Sequence, residues 1–580
     1  MARTPSARLT AAACLIALAI TPTAAHATSS GADIRASASD GADWAQTKQS
    51  TTTGAFPVFG FDIVPTALAA AGRNAADVSR GGGPTSQTYV AGALQSLAYD
   101  PTAASTVGDI EQGILSGYAA GIDPTRVSAG TNVVAELARA YDDGRYGPRF
   151  SFNNTVYGAL SLNRVRAPRF LIARTVAAIR ANQHNDGGWS FTESVTPADQ
   201  ANPSATDTTG PALAALCESG VSVNDPAVEQ AVSFQRSKLD LSTGGFDPQD
   251  GFGTPPNADT NGAVISGLNA CGIDPQGTQF TGPGGQTPID FLRGLQLTAG
   301  PDAGGFPSAF SGAAGDVYAT QDAVRALAGA AFTAAPPART TPTDPRTRPA
   351  PVVADGTTVP VALAVDDGSG GVTFCRVAVP SGASLATLLA TANGSSSPTG
   401  CATGGEFTAG QVSRLNGQTG TWAYSVDGGQ EQIAAGQAVR FGDLIALRRT
   451  SGAVPAAPGG ASTPPAVPAA QQAKTTPAGI ASKSLKASAR KRVVTVSLSC
   501  AKENRLCQGN VYLVYRKRTL ARRAFLIGGG KTTRLNVKLY KSALKRLGGK
   551  KRRVKINVFS RDGAGVASNA TRTVTLTPTK

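Results

Sequence analysis

Apolar residues recur every three to four positions from about residue 88 to residue 330, which is the pattern of amphipathic α-helices. Segments 167–183 and 226–239 each carry one apolar stripe, and the segments between them are rich in Ala, Gly and Thr. About ten to twelve helices in pairs are predicted, and helices of this kind cannot bury their apolar faces singly. The pattern therefore predicts an all-helical region in which helices lined by small residues pack backbone to backbone.

Beyond residue 351 the period of apolar positions changes to two, which is typical of half-buried β-strands. Residues 352–450 combine such strands with one short helix, and residues 483–580 alternate through about six or seven strands. A Pro-rich segment at 334–351 and an Ala/Pro-rich segment at 451–482 are predicted to be linkers. The helical region, taken as residues 55–333, is therefore expected to precede two smaller folded regions.

A turn motif repeats inside the helical region. Two glycines followed by an aromatic residue occur at Gly187, Gly244 and Gly304, with spacings of 57 and 60 residues. An Asp-Thr pair near a predicted helix start recurs with them, at Asp207-Thr208 and again at Asp259-Thr260. Such a period predicts repeated helix pairs that stack on their neighbours.

The first residues have the pattern of a secretory signal. Arg3 and Arg8 precede an apolar run, and Ala25-His26-Ala27 provides small residues for cleavage. Residues 1–27 are therefore predicted to be a signal peptide, and residues 28–54 a disordered segment. No later stretch has the roughly 18 apolar residues that a membrane span needs. The expected location is extracellular or at the cell wall, without a transmembrane segment.

Charge is distributed unevenly along the chain. Residues 483–580 contain 26 Lys and Arg against two acids, whereas residues 28–482 contain 26 against 36. The chain is therefore an acidic body with a strongly basic C-terminal region, and its overall net charge of +16 describes neither part.

Six cysteines follow the predicted signal peptide, and they fall into three local couples. An even number of cysteines in an exported chain favours disulfides over metal ligation. The expected pairs are Cys217 with Cys271, Cys375 with Cys401, and Cys500 with Cys507.

The run from Gln183 through Gly187 and Gly188 to Trp189 matches the "QW" motif, Gln-x-x-Asp-Gly-Gly-Trp. On this motif and its degenerate copies, residues 55–333 resemble the α/α toroid of terpenoid cyclases such as squalene cyclase, of prenyltransferase β subunits and of transcobalamin-type cobalamin carriers. The resemblance implies that Gln183 and Trp189 brace an outer helix against the next inner helix.

The run "WAYSVDGG" (422–429) and the Gly442-Asp443 turn resemble the β-grasp-like C-terminal domain of the same carriers. The predicted fold class is therefore multidomain. An all-α α/α toroid comes first, a small α+β β-grasp-like domain at 352–450 follows, and a basic all-β immunoglobulin-like sandwich at 483–580 ends the chain.

Cyclase and prenyltransferase chemistry is poorly supported. A cyclase that protonates an alkene needs a carboxylic acid where this chain has Thr206, and the next repeat has Ala258 there. A prenyltransferase zinc site needs Asp, Cys and His, but the only histidine after the signal peptide is His184, which is expected to be an exposed turn residue. The sequence therefore argues against an enzyme, and no catalytic residue or metal site is predicted.

The order of the first two domains implies a secreted, envelope-associated protein that holds a small ligand, with a corrinoid such as cobalamin favoured, between toroid and β-grasp-like domain. The resemblance gives ligand-binding residues at inner-helix starts and on the facing strand: Asn154, Asp207, Asp259, Gln321, Trp422 and Tyr424. A different interpretation is that the Asp-Thr pairs only cap helices. The competing functions are a divergent terpene cyclase-like enzyme and a structural surface adhesin without a small ligand.

The basic region has its own predicted partner. Aromatic residues that would stack on nucleic acid bases are not interleaved with the basic run at 541–558, so no nucleic acid is expected. An exported cationic region meets anionic polymers of the cell envelope, and these would retain it. The alternative is a solvated cationic face with no partner.

Overall fold

The computed structural model describes residues 29–579, apart from the segments given at the end of this paragraph. The predicted signal peptide and most of both predicted linkers lie outside the described residues. The segments not described are 59, 104, 129, 195–202, 249–254, 310, 338–352, 393–400, 451–478, 489–491, 503–505, 517, 529, 541–542, 544–546, 548–549 and 563–566.

The first half of the described chain is mainly helical. Its helices are α1 (Gly31–Lys48), α2 (Val64–Ala70), α3 (Ser86–Gln95), α4 (Ser105–Ala119), α5 (Val133–Ala138), α6 (Asn153–Arg164), α7 (Arg169–Ala181), α8 (Thr206–Glu218), α9 (Pro226–Lys238), α10 (Ala258–Ala270), α11 (Pro288–Gly294) and α12 (Val317–Leu327). A two-stranded hairpin of β1 (Tyr141–Asp142) and β2 (Arg145–Tyr146) lies between α5 and α6.

The even-numbered helices form a closed ring. Each packs against the next even-numbered helix, and α12 packs against α2, while the odd-numbered helices lie outside them. Small residues permit the close approach within the ring. A Cβ atom at Gly210 of α8 would lie 2.6 Å from the carbonyl oxygen of Ala263 in α10, so these helices touch backbone to backbone.

The Gly-Gly-aromatic turns connect each outer helix to the next inner helix. Gly187, Gly244 and Gly304 have φ angles of 92°, 84° and 93°, and Gly144 in the β1–β2 hairpin has 90°. Each of the four approaches the backbone of the next outer helix around the ring or its cap, which for Gly304 is α1. The aromatic residue after each of the three predicted turns is fully buried. The repeat is therefore a backbone contact that only glycine permits.

Trp189 and Gln183 join α7 to its neighbours through hydrogen bonds. The indole Nε1 of Trp189 donates to the carbonyl of Ile179 at 2.7 Å, and its backbone N–H donates to the hydroxyl of Thr209 at 3.0 Å. The amide of Gln183 donates to the carbonyls of Gly187 and Ala227. Outer helices α7 and α9 and inner helix α8 are thereby held together.

Two expectations about exposure and order in this region differ from the structure. Residues 31–48, expected to be disordered, form helix α1, which completes the outer layer by packing on α12. Its Ser30 cap and the burial of Trp44 against Gly305 explain its order. His184 is 5% exposed rather than an exposed turn residue, and burial lowers its pKa.

A five-stranded sheet follows the helical ring. Its order is β4-β3-β10-β8-β9, with β10 parallel to β3 and the other pairs antiparallel. A small sheet of β5, β6 and β7 and the helix α13 (Leu385–Ala392) pack beside it. The strands are β3 (Thr358–Asp366), β4 (Val372–Pro380), β5 (Glu406–Thr408), β6 (Gln411–Leu415), β7 (Gln418–Thr419), β8 (Thr421–Val426), β9 (Gln432–Ile433) and β10 (Leu444–Thr450).

The C-terminal basic region forms an eight-stranded sheet around its own apolar core. Its edge-to-edge order is β11-β13-β12-β18-β17-β14-β15, with β16 also paired to β13. The strands are β11 (Gly479–Ile480), β12 (Ser484–Ser488), β13 (Val493–Ser499), β14 (Leu506–Tyr515), β15 (Arg518–Gly528), β16 (Thr532–Lys538), β17 (Arg552–Asp562) and β18 (Ala567–Thr579).

Disulfides link two of the predicted cysteine couples. Cys217 is bonded to Cys271, joining the ends of α8 and α10, and Cys375 is bonded to Cys401. Cys500 is also disulfide-bonded, whereas the side chain of Cys507 lies outside the described residues.

The predicted fold class is wrong. The described residues contain 13 helices and 18 strands in several sheets, so the chain is mixed rather than an all-α toroid followed by separate domains. The helical region includes the β1–β2 hairpin, and its apolar core continues into the five-stranded sheet. The basic region is not two antiparallel sheets, because β12 pairs antiparallel with β13 and parallel with β18.

Candidate functional site

The five-stranded sheet docks on the outside of the helical ring through an apolar contact. Ala362, Ala364 and Phe374 on one face of the sheet belong to the same buried cluster as the core of the ring. The Phe374 ring meets Tyr141 of the hairpin edge to face, with 5.8 Å between centroids. The sheet contacts α5 and α7, and the ring and sheet therefore share one core.

Arg126, in the loop after α4, carries the main charged contact between ring and sheet. Its guanidinium lies 2.9 Å from the carboxylate of Asp427 and 3.7 Å from that of Asp443, both in the sheet region. Asp123 of the same loop is 3.2 Å away. Burial, opposed by Arg126, raises the pKa of Asp443 to about 6. Three poorly exposed carboxylates therefore share Arg126 as a counter-ion.

Two glycines of the sheet region allow the ring to approach this closely. A Cβ atom at Gly442 would overlap the side chain of Arg126, and one at Gly428 would overlap the carbonyl oxygen of Arg166. Both have positive φ angles, which disfavour other residues. On the other side of the interface, Arg376 lies 2.8 Å from Glu136 of α5.

A crevice of about 640 Å³ opens between ring and sheet beside these contacts. Residues from the end of α6, the start of α7 and the end of α8 form one wall, and residues of β8, β10 and the loop between them form the other. Its lining residues are Asn163, Arg164, Arg166, Ala167, Pro168, Arg169, Phe170, Ile172, Glu218, Ser425, Gly428, Gly429, Glu431 and Arg448.

The lining is rich in charge, with four arginines and two glutamates. Arg448 and Glu431 pair through two hydrogen bonds of 2.9 and 2.6 Å, so they largely neutralise each other. Glu218 is a buried carboxyl whose pKa is raised by that burial, and the hydroxyl of Thr333 donates to it. Its closest cation is Arg164 at 4.0 Å. Besides the Arg448–Glu431 pair, the lining contains Arg164, Arg166 and Arg169 together with Glu218.

Strand β8 presents different residues to the ring from those predicted. Trp422 and Tyr424 are 0% and 2% exposed and pack in the core on the far side of the sheet. Because side chains alternate along a strand, Ser425 faces the crevice instead. Burial raises the pKa of Tyr424.

The predicted ring residues gather at the other end of the inner helices. Asn154, Asp207 and Asp259 are the second residues of α6, α8 and α10, and Gln321 is the fifth residue of α12. The crevice lies instead at the last turns of α6 and α8. Asn154 and Arg164 are separated by ten residues of α6, about 15 Å. The four residues therefore lie near the N-terminal ends of the inner helices and do not line the crevice.

This end of the ring is polar and buried. Gln321 is 1% exposed, and neither its amide oxygen nor its nitrogen has a hydrogen-bond partner among the described residues. Desolvation and the carboxylates of Asp322 and Asp316 raise the pKa of Asp259 to about 8. Thr206, at the place of a cyclase acid, is fully buried and donates to the carbonyl of Asp247 at 2.6 Å.

Sequence reasoning missed the arginines of the crevice. A usable signal was the run Arg164-Val165-Arg166-Ala167-Pro168-Arg169, which places three cations where a proline separates two helices. The sequence did not indicate the opposite wall of the crevice, because that wall depends on which face of β8 turns toward the ring.

Among the residues that the structure describes, no group of three or more His, Cys, Asp or Glu side chains is arranged to hold a metal ion. No described helix combines the length and apolar character of a membrane span.

Comparison with known proteins gives little further information. No protein-family model matches the chain, and no curated protein sequence matches it. Among solved structures, haptocorrin in complex with Cbi is similar over 72% of this chain and 96% of that chain, with 12% sequence identity and a TM-score of 0.28.

Proposed function

We propose that the protein is a binding protein that holds a small ligand in the crevice between the helical ring and the five-stranded sheet. The observation that carries the proposal is the cavity of about 640 Å³ lined by both parts. This volume is in the range of about 300–1,000 Å³ typical of small-molecule sites, which collect where two parts of a protein meet.

The favoured ligand is a corrinoid, on the sequence resemblance of the ring and sheet regions to cobalamin carriers. A corrinoid is a flat macrocycle edged with amide groups. The guanidinium groups of Arg164 and Arg169 can donate hydrogen bonds to such amide oxygens. The apolar side chains of Phe170 and Ile172 can pack against the macrocycle.

The test is to mix the purified mature chain with cobalamin and follow the visible chromophore through gel filtration. We expect the chromophore to co-elute at micromolar concentrations, and Arg169→Trp, which fills the crevice from the exposed start of α7, to abolish this. Arg180→Trp, at the far end of the same helix, is the matched control. No co-elution with the native chain would exclude a corrinoid, and equal loss in both variants would place the ligand elsewhere.

The basic C-terminal region is proposed to retain the protein on anionic polymers of the cell envelope. It holds 26 cations against two acids, so most of its charge has no neutralising partner within the region. Lys486, Arg553 and Lys555 are exposed on its strands. Attraction between solvated charges is screened by salt.

Retention on isolated cell walls, measured for the mature chain and for a chain ending at residue 450, tests this second part. The complete chain is expected to bind and to be released as salt rises from low to about 0.5 M, because the Debye length falls below about 5 Å. Equal retention of both chains would refute the role of the basic region. Wall binding without any small ligand would favour the adhesin alternative.

A further inference from the structure

We propose that the crevice recognises an oxyanion, a carboxylate or phosphate group of its ligand, at the N-terminus of α7. The inference rests on the proposed function, because it names the chemical class of group that the same crevice binds.

The first turn of α7 faces the crevice without a cap. Pro168 occupies the N-cap position, offers no side-chain hydrogen bond, and is followed by a first turn without an acidic residue. The backbone N–H groups of Leu171 and Ile172 bond to the carbonyl of Pro168. Those of Arg169 and Phe170 find no acceptor among the described residues, and α7 has 13 residues. Free N–H groups and the helix dipole favour an anion there.

Three arginines surround the same turn. Arg164 ends α6, Arg166 lies in the connection with a φ angle of 53°, and Arg169 is the first residue of α7. Arg164 donates to the carbonyl of Thr333, and its Nε atom is buried with no partner among the described residues. Guanidinium groups bind carboxylates and phosphates through paired hydrogen bonds. The local charge therefore matches an oxyanion.

Glu218 provides an independent observation. Its side chain lines the crevice and is only 9% exposed, yet Oε1 has no hydrogen-bond partner in the described structure. A buried polar atom without a partner costs free energy. Burial raises the pKa of this carboxyl, which favours the protonated form, and a protonated carboxyl can donate a hydrogen bond to a ligand oxygen. A ligand oxygen would complete the hydrogen bonding of Glu218 and accept from the α7 amides.

Titration calorimetry of the full mature chain with inorganic phosphate, and separately with acetate, tests the inference and distinguishes the two oxyanions. We expect phosphate, acetate or both to bind, and Arg169→Gln to weaken binding about 10-fold, the effect of losing one charged hydrogen bond. Arg180→Gln, which removes the same charge from the last turn of α7, should leave binding unchanged. Glu218→Gln keeps a donor and should retain binding, whereas Glu218→Ala should weaken it.

Competition with cobalamin separates this inference from the proposed function. Cobalamin binding without any binding or competition by phosphate or acetate would overturn the oxyanion site and leave the proposed carrier role standing. Phosphate binding that Arg169→Gln weakens, without cobalamin binding, would support the oxyanion site and remove the corrinoid assignment. Equal weakening by Arg169→Gln and Arg180→Gln would show general charge attraction and overturn the inference.

Discussion

Replacing Gly187 with alanine is expected to lower the free energy of unfolding by about 4 kcal/mol. Alanine is strained in the left-handed backbone conformation, and its Cβ atom would overlap a neighbouring helix. The φ angle of Gly187 is 92°, and a Cβ atom there would overlap the carbonyl of Gln230 in α9. Because that contact is between two backbones, no side-chain rotation can relieve it. Chemical denaturation followed by circular dichroism measures the loss.

Gly220→Ala is the matched control for this prediction. Gly220 follows α8 with a φ angle of 86°, but a Cβ atom there would meet nothing within 4 Å. Its substitution is expected to cost only about 1 kcal/mol, from backbone strain alone. Equal losses at Gly187 and Gly220 would show that the close approach of α9 contributes nothing.

Replacing Arg126 with alanine is expected to destabilise the protein by about 3 kcal/mol at pH 8 and to loosen the sheet from the ring. The substitution leaves Asp123, Asp427 and Asp443 without the cation that they share. Denaturation measures the loss, and limited proteolysis between residues 334 and 357 reports loosening. Arg414→Ala, which breaks a pair with the exposed Glu406, should cost less than about 1 kcal/mol.

The effect of Arg126→Ala should depend on pH. The folded-state pKa of Asp443 is about 6, above the ordinary value of 3.8, so this group stabilises the fold below pH 4 and loses that contribution as pH rises through 6. Removing Arg126 raises the folded-state pKa further and leaves the ionised form less stable. The destabilisation should therefore be smaller at pH 5 than at pH 8, and a loss independent of pH would contradict the role of Arg126 as a counter-ion.

The repeated Gly-Gly-aromatic turn could be predicted from the sequence because it depends on local backbone requirements. A left-handed turn and a close helix approach both demand glycine, and a buried aromatic residue follows each of the three turns, so Gly187, Gly244 and Gly304 mark the repeat in the sequence itself. Helix α1 was missed because its small and polar residues carry a weak apolar pattern. Its order comes from α12 and the Gly304 turn, which lie more than 250 residues away.

The sequence analysis predicted a site between the two regions, and none of its predicted ligand-binding residues lines the crevice. Trp422 and Tyr424 were chosen for their chemistry, yet the alternation along β8 places them in the core behind the sheet and Ser425 in the crevice. A strand with buried residues on both faces carries no signal for which face meets a second layer. The predicted inner-helix residues lie near the starts of those helices, whereas the crevice lies at the last turns of α6 and α8.

By itself, the sequence determined the repeated helix pairs, the strands beyond residue 351, two confirmed disulfides and the separation of an acidic body from a basic end. Those properties follow from periodicity, glycine requirements and composition, which act over short stretches of chain. Tertiary structure alone decided that ring and sheet share a core, that Arg126 joins them and that Arg164, Arg169 and Glu218 meet in one crevice. The physical reason is that several faces of the ring and of the sheet are similarly apolar. Which two faces pack together depends on the shapes and charges that distant segments of the chain bring together.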